Sequence, residues 1–195
     1  MITTSQKEAI AILAAGASRR LGQPKQLVRV DGSTLLQRAV DAARSTRAEV
    51  WLALGSEGDP FWHSLRDREA LLRIDVPDAS TGMSASLRAV ARHAQSANIE
   101  RLLVLLVDQH GVDSTWLTEM LQWSETFPGH IITSVYDGLR GAPAVFPRTR
   151  FDDLGKLEGD AGARHLLRSA QDTELVEFPA PRAPGDVDRI EDLPR

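Results

Sequence analysis

The segment Leu13-Ala14-Ala15-Gly16-Ala17-Ser18-Arg19-Arg20-Leu21-Gly22-Gln23-Pro24-Lys25 concentrates the means to bind phosphate. Small residues at 14–16 let backbone approach a ligand closely, and Gly16 and Gly22 are able to take positive φ. Between residues 9 and 30 there is no acidic side chain, while Arg19, Arg20, Lys25 and Arg29 all fall there. Arginine forks, a lysine and backbone N–H groups together are what a polyphosphate requires. The spacing is neither the Gly-Lys-Ser/Thr of a Walker A loop nor the dinucleotide pattern G-x-G-x-x-G. A solvated basic turn is the plain alternative. The second candidate is Asp108, which follows the apolar run from Leu102 to Val107. A carboxylate there suits a magnesium ion that bridges nucleotide phosphates. A lone aspartate after a strand serves equally as a turn former or helix cap.

Elements of regular spacing must hold these residues. Residues 9–14 read as a buried strand, because a short apolar run without alternation suits a sheet covered on both faces. Residues 33–44 carry apolar side chains at helical spacing (Leu35, Leu36, Ala39, Val40, Ala43), with Ser33 as the expected N-cap. Further strands are expected at 49–54, 71–76, 101–107, 130–135, 144–146 and 174–178. Helices are expected at 59–69, with Asp59 at the cap and Pro60 in its first turn, and at 83–93, 113–123, 149–154 and 161–169. Strand and helix in alternation mean βαβ units, hence an α/β fold: a Rossmann-like three-layer sandwich with a mostly parallel sheet. In such a sheet ligands bind outside the carboxyl ends of strands, where both candidates lie. The Pro-rich stretch 179–185 reads as a loop, so residues 1–195 are expected to form one domain.

Composition narrows the function classes. The 195 residues are 42% hydrophobic and 26% charged, enough for a sizeable core under an ordinary surface. With 27 acidic against 23 basic residues, the net charge of −4 argues against nucleic acid as a partner. The absence of cysteine excludes disulfides, zinc fingers, iron–sulfur clusters and thiol nucleophiles. No apolar run is long enough for a membrane span, and the N-terminal apolar stretch reads as a first strand rather than a signal peptide; a cytoplasmic location is expected. Five histidines show no zinc-binding spacing, and the Gly-Met-Ser-Ala-Ser run at 82–86 lacks the last glycine of a nucleophile elbow.

Placed directly after the first strand, the run L-A-A-G-x-S-x-R-L-G-x-x-K resembles the signature of the molybdenum cofactor nucleotidyltransferases, in particular the cytidylyltransferase-like, MobA-like NTP transferases. The resemblance implies a nucleotide-diphospho-sugar transferase type of fold. It implies transfer of a nucleoside monophosphate from an NTP, CTP or GTP, to molybdopterin cofactor, with Mg²⁺ and release of pyrophosphate. It makes Arg20 and Lys25 contacts to the triphosphate, and places Leu13, Ala14, Ala15 and Gly16 under base and ribose. Ala15 favours CTP, because in the family L-A-A-G accompanies cytidine transfer and L-A-G-G guanosine transfer. Asp108-Gln109 resembles the family's D-[QM]-P metal motif, with His110 in place of proline.

The likeness continues through most of the chain. Gly82-Met83-Ser84-Ala85-Ser86-Leu87 resembles G-M-x-x-S-L, which assigns Gly82 and Ser84 to the nucleotide. The family's usual asparagine before that stretch is Val76 here, which leaves Asp75 or Asp78 to replace a base contact. The run 138–146 resembles G-x-[RK]-G-H-P-[VA]-x-F, with Arg140 on the acceptor side and Ala142 where the family has histidine. Gly159-Asp160-Ala161-Gly162-Ala163-Arg164 matches G-D-x-G-A-R, making Asp160 a second metal ligand and Arg164 a phosphate or acceptor contact. Their plain reading is a helix cap with a surface arginine. Asp186-Val187-Asp188 begins a match to D-[IV]-D-T-P-E-D-L. Val76, His110 and Ala142 keep open another phosphorylated small-molecule acceptor, and a pyridine-dye-like oxidoreductase or a chaperone for a molybdenum enzyme are the rival readings.

Overall fold

The apolar run after Lys7 forms β1 (Glu8–Leu13), whose last five residues are all buried. The structure, a computed structural model, describes residues 7–16, 21–160, 162–187 and 192. Two short strands, β2 (Arg29–Val30) and β3 (Ser33–Thr34), pair antiparallel around Asp31-Gly32, both at positive φ (50° and 82°) as a tight hairpin turn requires. Helix α1 (Leu35–Arg44) follows at once, and Thr34, not the expected Ser33, caps it by accepting from the Gln37 N–H at 3.1 Å. Ser33 is held in the hairpin, so the capping role passes one residue on.

The chain continues through β4 (Glu49–Leu54), α2 (Asp59–Ser64), β5 (Leu72–Asp75) and α3 (Met83–Ser96). Helix α2 is shorter than the expected 59–69 because Leu65 turns extended and Asp67 takes a left-handed conformation (φ 52°). Gly58, rather than Asp59, is its capping position. Then come β6 (Arg101–Leu106), α4 (Ser114–Thr126), β7 (Ile131–Tyr136), β8 (Leu139–Pro147), α5 (Phe151–Gly155), α6 (Ala163–Ser169) and β9 (Leu175–Pro179). Strand β8 is far longer than the expected 144–146. The glycine and proline at its start hide the alternation, but pairing with β7 makes the whole segment extended.

The main sheet runs β5-β4-β1-β6-β8-β7-β9. Strand β1 pairs parallel with both β4 and β6, while β8 is antiparallel to both neighbours. Alternate residues of β1 feed two cores. Ala9, Ala11 and Leu13 face the layer of α3, α5 and α6; Ile10 and Ile12 face α1 and α4. At the base of β6 the buried Arg101 guanidinium donates to Glu8 at 2.7 Å. The chain leaves β1 for β4 on one side and returns through β6 on the other, so a crevice opens where these directions diverge. Among the described residues no helix is long and apolar enough to cross a membrane.

Candidate active site at the carboxyl ends of β1 and β6

Beyond β1 the backbone stays on the sheet for one residue, with the Ala14 N–H donating to the Ala53 carbonyl at 3.0 Å. Ala14 is buried, Ala15 half-buried and Gly16 exposed. Pro24 then starts a tight turn over Lys25–Leu27, closed by the Leu27 N–H on the Pro24 carbonyl (3.1 Å). Leu21, Val28 and Val30 pack beneath it with Leu35 and Val187. This turn carries Lys25 across the crevice, where Nζ donates to Asp108 Oδ2 at 2.8 Å. The two side chains are only 16% and 19% exposed, so the pair is partly shielded from water. Arg19 and Arg20 lie outside the described residues. Arg29 belongs to the hairpin, bonding the Gly32 carbonyl at 2.6 Å.

A lone carboxylate at that strand end does not by itself demand a metal, because Lys25 already neutralises it. The other oxygen carries the metal argument: Asp108 Oδ1 is buried and has no hydrogen-bond partner. An orphaned anionic oxygen in a partly dry crevice is costly. A hard cation shared with phosphate oxygens satisfies it, so the donor set fits a divalent ion held through Asp108. No group of three or more His, Asp or Glu side chains converges for a metal among the described residues.

The carboxy-terminal segment closes over this turn. The Val187 N–H donates to the Asp108 carbonyl (3.2 Å), Gly111 N–H to the Pro184 carbonyl (2.8 Å), and Gln109 bridges to Asp186. Gly185 lets the His110 ring approach the backbone closely, since a Cβ there would collide with the imidazole. Burial first, and the Arg38 charge second, hold the His110 imidazole below its ordinary pKa. The aspartate of the D-x-D pattern beyond Val187 lies outside the described residues.

Beside Asp108 opens a cavity of about 230 Å³. Leu13, Met83, Leu87, Val104, Leu106 and Leu167 give it an apolar floor, and Gln109, Tyr136, Asp160, Arg164 and Asp186 a polar wall. Burial first, then the Asp186 charge, pushes the pKa of the Tyr136 phenol up, while the nearby Arg164 charge opposes the shift. Gly141 makes room for that hydroxyl, which a Cβ would approach within 2.5 Å. Gln109 Nε2 donates to the Ala142 carbonyl at 2.9 Å, leaving Oε1 buried without a partner. Gly82 (φ 120°) lies against Asp160, where an added Cβ would meet Oδ1 at 2.6 Å and strike the Gly159 carbonyl.

The structure thus brings Lys25 and Asp108 together, and sets Leu13, Asp160 and Arg164 around one adjoining cavity. Two of the expected contacts also have partners within the protein. Ser84 is fully buried and its hydroxyl accepts from Arg88 (3.0 Å) within α3. Arg140 of β8 is ion-paired with Asp172 (2.6 Å) and, beyond β7, with Glu177 of β9 (2.7 Å). Asp75 and Asp78 are likewise ion-paired, with Arg73 and Arg88, beside a buried Val76. Three site residues escaped sequence reasoning: Gln26, Gln109 as a wall residue, and Tyr136. The available hint for Tyr136 was its position before an Asp-Gly turn, which ends a strand at the same sheet end as Asp108.

A sheet of this order, with a small-residue loop after its central strand and an acidic turn after the neighbouring one, is a Rossmann-like α/β fold with a mostly parallel sheet. More narrowly, residues 10–175 match the MobA-like NTP transferase domain, and the chain belongs to that family. It is 28% identical over 167 residues to the purine catabolism protein PucB of Bacillus subtilis, covering 82% of this chain and 80% of PucB. It is 27% identical over 137 residues to a probable molybdenum cofactor guanylyltransferase of Opitutus terrae, covering 70% of this chain and 65% of that one. Among solved structures, Rv0371c of Mycobacterium tuberculosis superposes with a TM-score of 0.81 at 29% identity, covering 97% of this chain and 96% of its own. That protein has also been solved in complex with manganese, with a TM-score of 0.76.

Proposed function

We propose that this protein transfers a nucleoside monophosphate from an NTP, CTP in preference to GTP, to a phosphorylated acceptor, with molybdopterin cofactor foremost. The observation that carries the reading is the Lys25–Asp108 pair at the switch point, with one Asp108 oxygen buried and unpartnered. Leu13, Ala14, Ala15, Gly16 and Gly82 would line the base and ribose, and Arg20 with Lys25 would hold the triphosphate. Ala15 supports cytidine, while the likeness to the probable guanylyltransferase of Opitutus terrae supports guanosine as the competitor.

In this mechanism a phosphate oxygen of the acceptor attacks the α-phosphorus, and the bond to the departing pyrophosphate breaks. The acceptor oxygen is already ionised, so no general base is needed, and the chain's work is positioning and charge stabilisation. Lys25 exchanges Asp108 for phosphate oxygens and follows the charge as it moves onto pyrophosphate. Asp108, with Asp160 as the second candidate, would hold Mg²⁺, which when bound neutralises phosphate oxygens. Arg164, on the cavity wall beside Tyr136, offers a guanidinium to the acceptor.

Ala142 favours a second reading on the acceptor only. It lines the cavity, so the missing histidine falls where an acceptor would sit, and a different phosphorylated small molecule would fit the change. Pyrophosphate release from CTP and GTP with Mg²⁺, against molybdopterin and a panel of sugar and alcohol phosphates, tests both readings. Release from neither nucleotide with any acceptor would sink the transferase reading.

A further inference from the structure

Gln26 neighbours Lys25 but bonds the loop after β1 rather than Asp108. It is 2% exposed, and its Nε2 donates to the Ala14 carbonyl at 2.6 Å and the Gly16 carbonyl at 3.1 Å. Both partners are acceptors, so the amide orientation follows from chemistry: the reverse flip would set an oxygen against two carbonyls. The side chain therefore fastens two alternate peptides of the loop after β1 from behind. A trans peptide holds its C=O and N–H antiparallel. With the Ala14 carbonyl drawn to Gln26, the Ala15 N–H is turned to the opposite side of the strand end. A loop meant to present N–H groups to an anion needs its carbonyls held away from it.

The same residue sits in the Pro24-led turn that delivers Lys25 to Asp108. Loop and lysine are thereby locked in one geometry by a single buried amide. A leucine at this position would fill the space but leave two carbonyls without that donor.

We infer that Gln26 is a positioning residue for nucleotide binding, aligning the Ala14–Gly16 backbone and the Lys25 ammonium toward one triphosphate. This rests on the NTP reading above. Gln26→Met keeps length and burial without the donor; Gln26→Glu keeps shape but sets a carboxyl against two carbonyls. Calorimetric titration with Mg²⁺–CTP and Mg²⁺–GTP needs no acceptor and separates Kd from the fraction of competent protein. Gln26→Met is expected to weaken Kd about tenfold, the loss of roughly 1.4 kcal/mol, at unchanged stoichiometry. Gln26→Glu is expected to weaken it further. Amide hydrogen exchange in a peptide spanning residues 13–16 is expected to speed up in Gln26→Met without nucleotide.

A Gln26→Met Kd within twofold of wild type overturns the inference. So does a variant that loses stoichiometry alone, the mark of damaged folding, or exchange at 13–16 that does not change. Wild type that binds neither nucleotide refutes the NTP reading and with it the nucleotide role of Gln26. In that event the exchange result still reports whether the clamp exists, so the two failures are distinguishable.

Discussion

Asp108→Asn separates charge from shape at the centre of the site. In the free protein the carboxylate holds Lys25 at 2.8 Å, with the two side chains 16% and 19% exposed. A hydrogen bond between charged groups of this kind contributes about 1.5–3 kcal/mol. A triphosphate recruiting Lys25 must displace that bond and tolerate the carboxylate beside it. Asparagine still offers an amide oxygen to Lys25, so only part of the cost is relieved, near the lower end of the range. At 1.4 kcal/mol per decade, CTP in EDTA is expected to bind the variant about tenfold more tightly than wild type. With Mg²⁺ present the order reverses, because an amide holds a hard cation poorly, and pyrophosphate release is expected to fall about a hundredfold. The assay is calorimetric titration in EDTA and in magnesium, with turnover followed in parallel. Wild-type affinity in both buffers, together with wild-type turnover, would refute the assignment of Asp108 to both lysine and metal.

Gly82→Ala is expected to destabilise by about 2–4 kcal/mol in urea unfolding, because φ is 120° and the Gly159 backbone occupies the Cβ position. Glu8→Ala leaves Arg101 buried with Glu125 as a more distant partner at 3.5 Å, and is expected to cost about 3 kcal/mol by the same measurement. The lowered pKa of His110 means the unfolded chain binds its proton more readily than the folded one. Stability should therefore be full above the ordinary imidazole pKa of about 6.5 and decline as pH falls from there toward the lower folded value. His110→Gln should flatten that segment of the Tm–pH profile, and an unchanged profile would remove His110 as its cause.

Residue order alone was enough for the local elements. The apolar runs at β1, β4 and β6 lie within one residue of their expected bounds, because strands buried on both faces carry no ambiguity of period. Elements ruled by turns were less legible: α2 stops early where Asp67 goes left-handed, and β8 extends back to Leu139 because β7 pairs with it. At the site, Lys25 and Asp108 each stood out by residue type and place. Their bond joins positions 83 residues apart and was decided by the parallel register of β1 on β6, Leu13 opposite Leu106. Ser84 and Arg140 show the converse, for motif position gave them a ligand while burial and ion pairing gave them partners within the protein. Gln26 gained meaning from the three-dimensional arrangement alone. A hydrogen-bond donor says nothing about its acceptor until the chain has brought the acceptor to it.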